Sequence, residues 1–230
     1  MFNLFNRATL AIMQSIVIAS ILVTGTYADT VPAPQQLMED TSKKMIAAFK
    51  EKTEAIRTDP KIADQLINDN LVPKINFPLM SRWVLGKNWK KATPEQRQMF
   101  IAEFQKLVVK FYSKALVEFL SQNNLTDDII TFTPFRGKLE GKYATIRSQV
   151  NPLNGAAPVK VNYDLYHSKK SGLWQVYDVS VEGISLVTTY RSSFKQIISQ
   201  KGMDALLNEL KDKNSAINNP KEKPLVAKEG

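Results

Sequence analysis

From Gln35 to about Arg57 the apolar residues Met38, Met45, Phe49 and Ile56 recur at helical spacing, with Lys43, Lys44, Lys50 and Lys52 between them. That spacing predicts one amphipathic helix with a single buried stripe. Asp59-Pro60 supplies an N-cap and a first-turn proline for a short helix carrying Ile62, Leu66 and Ile67. Phe77-Pro78-Leu79-Met80 opens another short helix that runs to about Gly86. Thr93-Pro94-Glu95-Gln96 reads as a capping box with proline at its first helical position. Behind it lies the longest helix, expected to end near Gln122 to Asn124, whose broad aromatic face comprises Phe100, Phe104, Leu107, Val108, Phe111, Tyr112, Ala115, Leu116, Phe119 and Leu120.

After Leu125 the period changes to two. Ile130 to Phe135, Tyr143 to Val150, Val159 to Leu165 and Leu173 to Val181 read as strands. Asn154-Gly155 and the Ser168 to Gly172 segment are turn signals, so the sheet is expected to be mainly antiparallel. Gly183 should end it. Ser185 can cap a helix carrying Val187, Tyr190, Phe194 and Ile197, Gly202 stops that helix, and Leu206, Leu207 and Leu210 mark a last one. Asn214 to Gly230 has no apolar periodicity and reads as a mobile tail. The expected fold class is α+β, with helices packed on a bent, mainly antiparallel sheet of four to five strands.

The opening segment has a different character. Arg7 precedes an apolar stretch from Ala8 to Val23, and Thr26-Tyr27-Ala28 follows. This reads as a secretory signal peptide cleaved after Ala28. The stretch is about 16 residues, short of the roughly 20 that a spanning helix needs. Three parts are therefore expected: a leader over 1–28, a folded domain over 29–213 and a charged tail over 214–230. The 230 residues carry 31 Lys plus Arg against 22 Asp plus Glu, a formal +9, and removing Arg7 with the leader would leave +8. An exported chain without cysteine suggests a bacterial periplasm, where a core of this size holds without disulfides.

Composition removes much of the chemical repertoire. The absence of cysteine excludes disulfides, thiolate metal sites and thiol nucleophiles, and the single histidine, His167, leaves little room for a triad or a His-rich metal site. Gly86-Lys87-Asn88, Gly137-Lys138-Leu139 and Gly141-Lys142-Tyr143 lack the spacing and hydroxyl residue of a phosphate-binding loop. Asp127-Asp128 reads as a solvated turn. Asp164 and Asp178 lie on strands, where an inward carboxylate would be desolvated, and alternation leaves the side that Asp178 faces open. Scattered lysines do not form the aromatic-interleaved stripe of a nucleic-acid groove, so no nucleic-acid partner is expected. The positive balance favours anionic surfaces, including phospholipid headgroups and acidic patches on other envelope proteins.

What stands out is the supply of large apolar side chains on the long helix, the sheet and the Phe77 to Trp89 segment. Such a stripe fills a core, or it lines a hollow between helices and a bent sheet where apolar ligands bind. Composition leaves both open.

Two segments are more specific. Leu71 to Leu116 and Leu173 to Phe194 carry Leu85-Gly86, Trp89, Ala92-Thr93-Pro94-Glu95-Gln96 and Phe104, then Trp174, Tyr177-Asp178, Glu182-Gly183, Ser185 and Tyr190-Arg191. In this ordered pattern the chain resembles the MlaC family of periplasmic phospholipid-transport proteins, also called the toluene-tolerance auxiliary family, over about Gln35 to Lys213. The resemblance implies an NTF2-like or cystatin-like fold with an internal apolar cavity. It also implies a non-enzymatic carrier, without cofactor or metal and monomeric, that maintains outer-membrane lipid asymmetry. Such a carrier would shuttle glycerophospholipid between an outer-membrane lipoprotein–porin complex and an inner-membrane MCE-domain protein of an ABC transporter. Tyr112, Val159 and Val161 match positions that contact lipid tails in the family, and Arg97 matches a basic position associated with partner docking. Ala156 stands where the family tends to carry a basic residue after the Asn-Gly turn.

Around those three, the apolar residues expected to line the cavity are Phe77, Met80, Phe104, Val108, Phe111, Leu116, Tyr163, Trp174, Tyr177 and Val179. The alternative expectation is an NTF2-like hydrolase or isomerase acting on an apolar substrate, with Asp178 or Asp164 as base.

Overall fold

The structure is a computed structural model that describes residues 33–122, 125–136, 139, 141–151 and 157–216. The expected leader and most of the expected tail lie outside the described residues, as do Asn154-Gly155 and Ala156.

The first predicted helix is two: α1 (Ala33–Glu51) and α2 (Thr53–Thr58). The break falls at Lys52, where ψ turns to 14° and the Thr53 hydroxyl donates back to the Phe49 carbonyl at 2.8 Å. A β-branched hydroxyl residue that satisfies the preceding turn in this way competes with continuation of the helix. Then follow α3 (Lys61–Asn70), α4 (Phe77–Leu85), α5 (Asn88–Lys91) and α6 (Pro94–Gln122). Asp59 Oδ1 accepts from the Lys61 amide at 3.1 Å, and Asn76 Oδ1 caps α4 by accepting from the Leu79 amide at 3.0 Å. At the start of α6 the capping box closes in both directions: the Gln96 amide donates to Thr93 Oγ1 at 3.2 Å and the Thr93 amide to Gln96 Oε1 at 3.0 Å.

β1 (Ile130–Phe132), β2 (Tyr143–Val150), β3 (Val159–His167), β4 (Trp174–Val181) and β5 (Ile184–Ser185) form one antiparallel sheet in sequence order. Five strands lie within the four to five expected, but β5 falls beyond Gly183, where the sheet was expected to end. Glu182 and Gly183, both at positive φ (49° and 82°), make a two-residue turn that returns the chain beside β4 before the next helix. The opposite end of β4's outer edge is covered by a bridge between Ile75 and Val176, so little of the edge is left to template another chain.

Helices α7 (Leu186–Lys201) and α8 (Met203–Ala216) complete the body. Ser185 Oγ accepts from the Thr188 amide at 3.0 Å, and Gly202, at φ 87°, separates the two helices. Leu206, Leu207 and Leu210 are buried as expected. The last helix passes the expected end of the domain because Asn214 is not a tail residue: it is 5% exposed, and its Nδ2 donates to the Glu103 carbonyl at 2.9 Å and to Glu103 Oε2 at 2.7 Å.

The core divides in two. A helical cluster joins α3, α4, α6, α7 and α8 around Phe100, Phe104, Tyr190 and Phe194. These rings meet edge to face and stacked, with Phe104 centroids 5.5 Å from Phe100, 5.1 Å from Tyr190 and 6.0 Å from Phe194. A smaller cluster lies on the sheet, where Ile146, Leu165 and Val176 meet Met38 of α1. The helices packed on the sheet are α1, α4 and α7, whereas α6 packs mainly on α3, α4 and α8.

Candidate functional site

Pairing defines the inner face of the sheet. Ile146 lies opposite Tyr163, Ser148 opposite Val161 and Val150 opposite Val159, while Tyr163 faces Val179 on the next strand. Because side chains alternate, these residues share one face with Phe132, whose ring centroid is 6.4 Å from that of Tyr163. Ile146 and Val161 are buried, but Phe132, Val150, Val159, Tyr163, Trp174 and Val179 are only half-buried. Ser148 is spent locally, its Oγ donating to the Val161 carbonyl at 3.2 Å. The surface is therefore apolar and unfinished.

The second half of α6 is unfinished as well. Phe77, Met80, Phe104 and Val108 lie inside the helical cluster, but Phe111, Leu116 and Val117 are half-buried and Tyr112 keeps 44% of its surface open. Burial, and after it the negative charge of Asp178, push the Tyr112 hydroxyl above the usual tyrosine pKa. Tyr112 thus combines an open ring with a partly desolvated hydroxyl. Burial raises the pKa of Tyr163 too, opposed by its hydrogen bond with Ser148, and raises that of Tyr190 strongly.

Of the residues expected to line the cavity, Val159, Val161, Tyr163, Trp174 and Val179 lie on the sheet, and Phe111, Tyr112 and Leu116 on the second half of α6, where Leu116 packs against the helical cluster. Phe77, Met80, Phe104 and Val108 serve the packed helical core beside them. Tyr177 belongs to neither. A bulge opposite Asp164 and Leu165 inserts one extra residue into β4, so alternation breaks between Val176 and Val179. Tyr177 accordingly lies against Trp83, 6.4 Å between centroids, and Tyr143, 5.9 Å away, instead of beside Val179. Periodicity alone could not place this flip.

The same bulge fixes Asp178. It is buried, and its carboxylate accepts from the Val179 amide at 2.8 Å, the Val187 amide at 3.0 Å and the Ser185 hydroxyl at 2.5 Å. These bonds tie β4 to the first turn of α7, where a negative charge also suits the helix dipole. Asp164 accepts from the Thr145 hydroxyl at 2.6 Å. Both carboxylates have structural partners. His167 Nε2 lies 3.1 Å from the Gly172 carbonyl, its ring 4.9 Å from that of Trp174. No group of three metal-ligating side chains occurs among the described residues. Arg97 donates to the Trp89 carbonyl at 2.8 Å and the Lys90 carbonyl at 3.3 Å, with its guanidinium 5.5 Å from the Trp89 ring centre. It closes the C-terminal end of α5.

A polar groove of about 140 Å³ between α3 and α6, lined by Asp64, Asn68, Gln105, Lys106, Val109 and Lys110, is a poor match for hydrocarbon. The half-buried apolar residues of the sheet's inner face and of the second half of α6 are the candidate site.

Comparison with known proteins decides the family, since the family model described as MlaC protein matches residues 39–212. The chain belongs to the MlaC family. It is 26% identical over 200 residues, 86% of this chain and 90% of the relative, to the intermembrane phospholipid transport system binding protein MlaC of Haemophilus influenzae. It is 28% identical over 172 residues, 74% of this chain and 75% of the relative, to the toluene tolerance protein ttg2D of Pseudomonas putida. Among solved structures, the phospholipid-binding protein from Ralstonia solanacearum in complex with a phospholipid superimposes with a TM-score of 0.71 at 28% identity, covering 81% of this chain and 99% of that one. The MlaC fold is thus present here as an α+β body with a curved antiparallel sheet. No described helix is long and apolar enough to cross a membrane.

Proposed function

We propose that this protein is a periplasmic phospholipid carrier that holds acyl chains between the second half of α6 and the inner face of the sheet. The observation that carries the reading is the phospholipid-bound relative, which matches this chain over 99% of its own length. The partly open apolar surfaces of α6 and the sheet agree with it. A diacyl lipid leaving a bilayer exposes on the order of thirty CH₂ groups, and at roughly 0.8 kcal/mol each this costs more than about 20 kcal/mol. A carrier must offset most of that with apolar contact, and Phe132, Val159, Val161, Tyr163, Val179, Phe111, Tyr112 and Leu116 are the side chains to supply it. Leaving the phosphate and headgroup in water makes such a protein indifferent to headgroup type.

Export by a signal peptide removed after Ala28 fits this role, as do passive exchange with an inner-membrane MCE-domain complex and an outer-membrane lipoprotein–porin complex, and docking through the Arg97 region. The enzyme reading is not favoured: the relatives are named as binding and transport proteins, and Asp164 and Asp178 are engaged in structural hydrogen bonds. Native mass spectrometry of protein purified from its own cells tests the proposal. One phospholipid per chain is expected, and a lipid-free mass under every gentle condition would overturn it.

A further inference from the structure

On the outer side of the sheet the bulge that displaces Tyr177 builds a second feature. Trp83 of α4 stacks on Tyr177 at 6.4 Å, Tyr177 meets the edge of Tyr143 at 5.9 Å, and Tyr143 lies 5.5 Å from Tyr166, so four rings run unbroken from α4 across three strands. A cation closes each end of the row. Lys142 Nζ is 5.7 Å from the centres of both Tyr143 and Tyr166, and the Arg191 guanidinium is 5.8 Å from that of Trp83. Arg191 is held there by donating to the Trp83 carbonyl at 2.7 Å and by Gly86, where a Cβ would sit 3.7 Å from its Cδ. Ring stacking contributes to the sheet, but a purely structural row would be covered, and Trp83 and Tyr143 keep 42% and 48% of their surface open. Neither Lys142 nor Arg191 forms an ion pair with a described residue. Asp164, whose charge acts on Tyr177, is engaged by Thr145.

We infer that this row is a docking surface for the headgroup layer of an anionic phospholipid membrane. Trp and Tyr rings, apolar in body and polar at the tip, favour that layer, and lysine and arginine beside them meet its phosphates. The rings and cations form one continuous row, and the net positive charge, +9 with the leader and +8 without Arg7, draws the body toward such a surface. The choice of a lipid surface over an acidic protein rests on the carrier reading, since a carrier works where lipid is.

Flotation with phosphatidylcholine vesicles, with and without phosphatidylglycerol, tests the inference on the purified protein. Binding is expected only to the anionic vesicles and should weaken when salt rises from about 50 mM to about 500 mM. Lys142→Glu should lower the partition coefficient about tenfold and Trp83→Ser about fivefold, with circular dichroism and bound lipid by native mass spectrometry unchanged. Binding equal in wild type and variants, or none to anionic vesicles, overturns the surface, as does a row that captures only an acidic protein. A wild type that floats with anionic vesicles but carries no lipid supports the surface and sinks the carrier reading instead.

Discussion

Phe104 and Tyr112 lie about two turns apart on α6, yet Phe104 has no exposed surface and Tyr112 keeps 44% of its own. The N-terminal half of the helix is enclosed by α3, α4, α7 and α8, and four rings close on one another there. Among the described residues of the C-terminal half, apolar side chains of the same kinds, Phe111, Leu116 and Val117, are only half-buried, and the inner face of the sheet is likewise incompletely covered. Both halves obey the same hydrophobic arithmetic. The first has already gained its burial energy on folding, whereas the second retains a deficit that a ligand can make good.

Substitutions can break that contrast. Phe104→Ala should cost about 3–5 kcal/mol in denaturant unfolding, as a large ring leaves a filled core; a loss under about 1 kcal/mol would mean the helical cluster is not closed. Asp178→Ala, which strands the Val187 amide and the Ser185 hydroxyl, should cost about 2 kcal/mol. Tyr112→Glu should behave differently: unfolding free energy should change by less than about 1 kcal/mol, while phospholipid retained on purification falls about tenfold, because a carboxylate in an apolar recess repels hydrocarbon. Equal losses of loading and stability would show that Tyr112 is ordinary packing.

Alkaline pH sharpens the comparison further. Tyr190 is buried with a folded-state pKa raised above 10.0, so its contribution is fully present below the unfolded value of about 10 and is lost as pH rises beyond it. Each pH unit above about 10 should remove about 1.4 kcal/mol through this residue alone. Melting temperatures measured between about pH 8 and 11 should fall at the upper end, and Tyr190→Phe should flatten the decline. The smallest effect belongs to the cap far from the candidate site: Thr93→Ala should cost about 1 kcal/mol and leave bound lipid unchanged.

Much of this was legible along the chain because its causes are local. The reciprocal bonds of Thr93 and Gln96, the Ser185 cap, the stop at Gly202 and the buried leucines of α8 each depend on residues within a turn or two. The interruption at Lys52 escaped because Thr53 bends the backbone without disturbing the apolar spacing of Met45, Phe49 and Ile56. Strand β5 escaped because two residues carry no period, and its turn requires Glu182 at a positive φ that glutamate seldom adopts. The aromatic surplus was legible, but the share of it that fills the core was not.

The order of amino acids thus determined most of the elements, their caps, the inward face of the elements that keep a regular period, and the family pattern that names the fold. Tertiary structure decided which half of α6 is closed, that Tyr177 leaves the inner face for the outer row, and that Asp178 ties β4 to α7 instead of serving chemistry. The physical reason is range. Hydrogen-bonding and side-chain periods are set by neighbours in the chain, whereas burial and strand register are set by residues that only the folded body brings together.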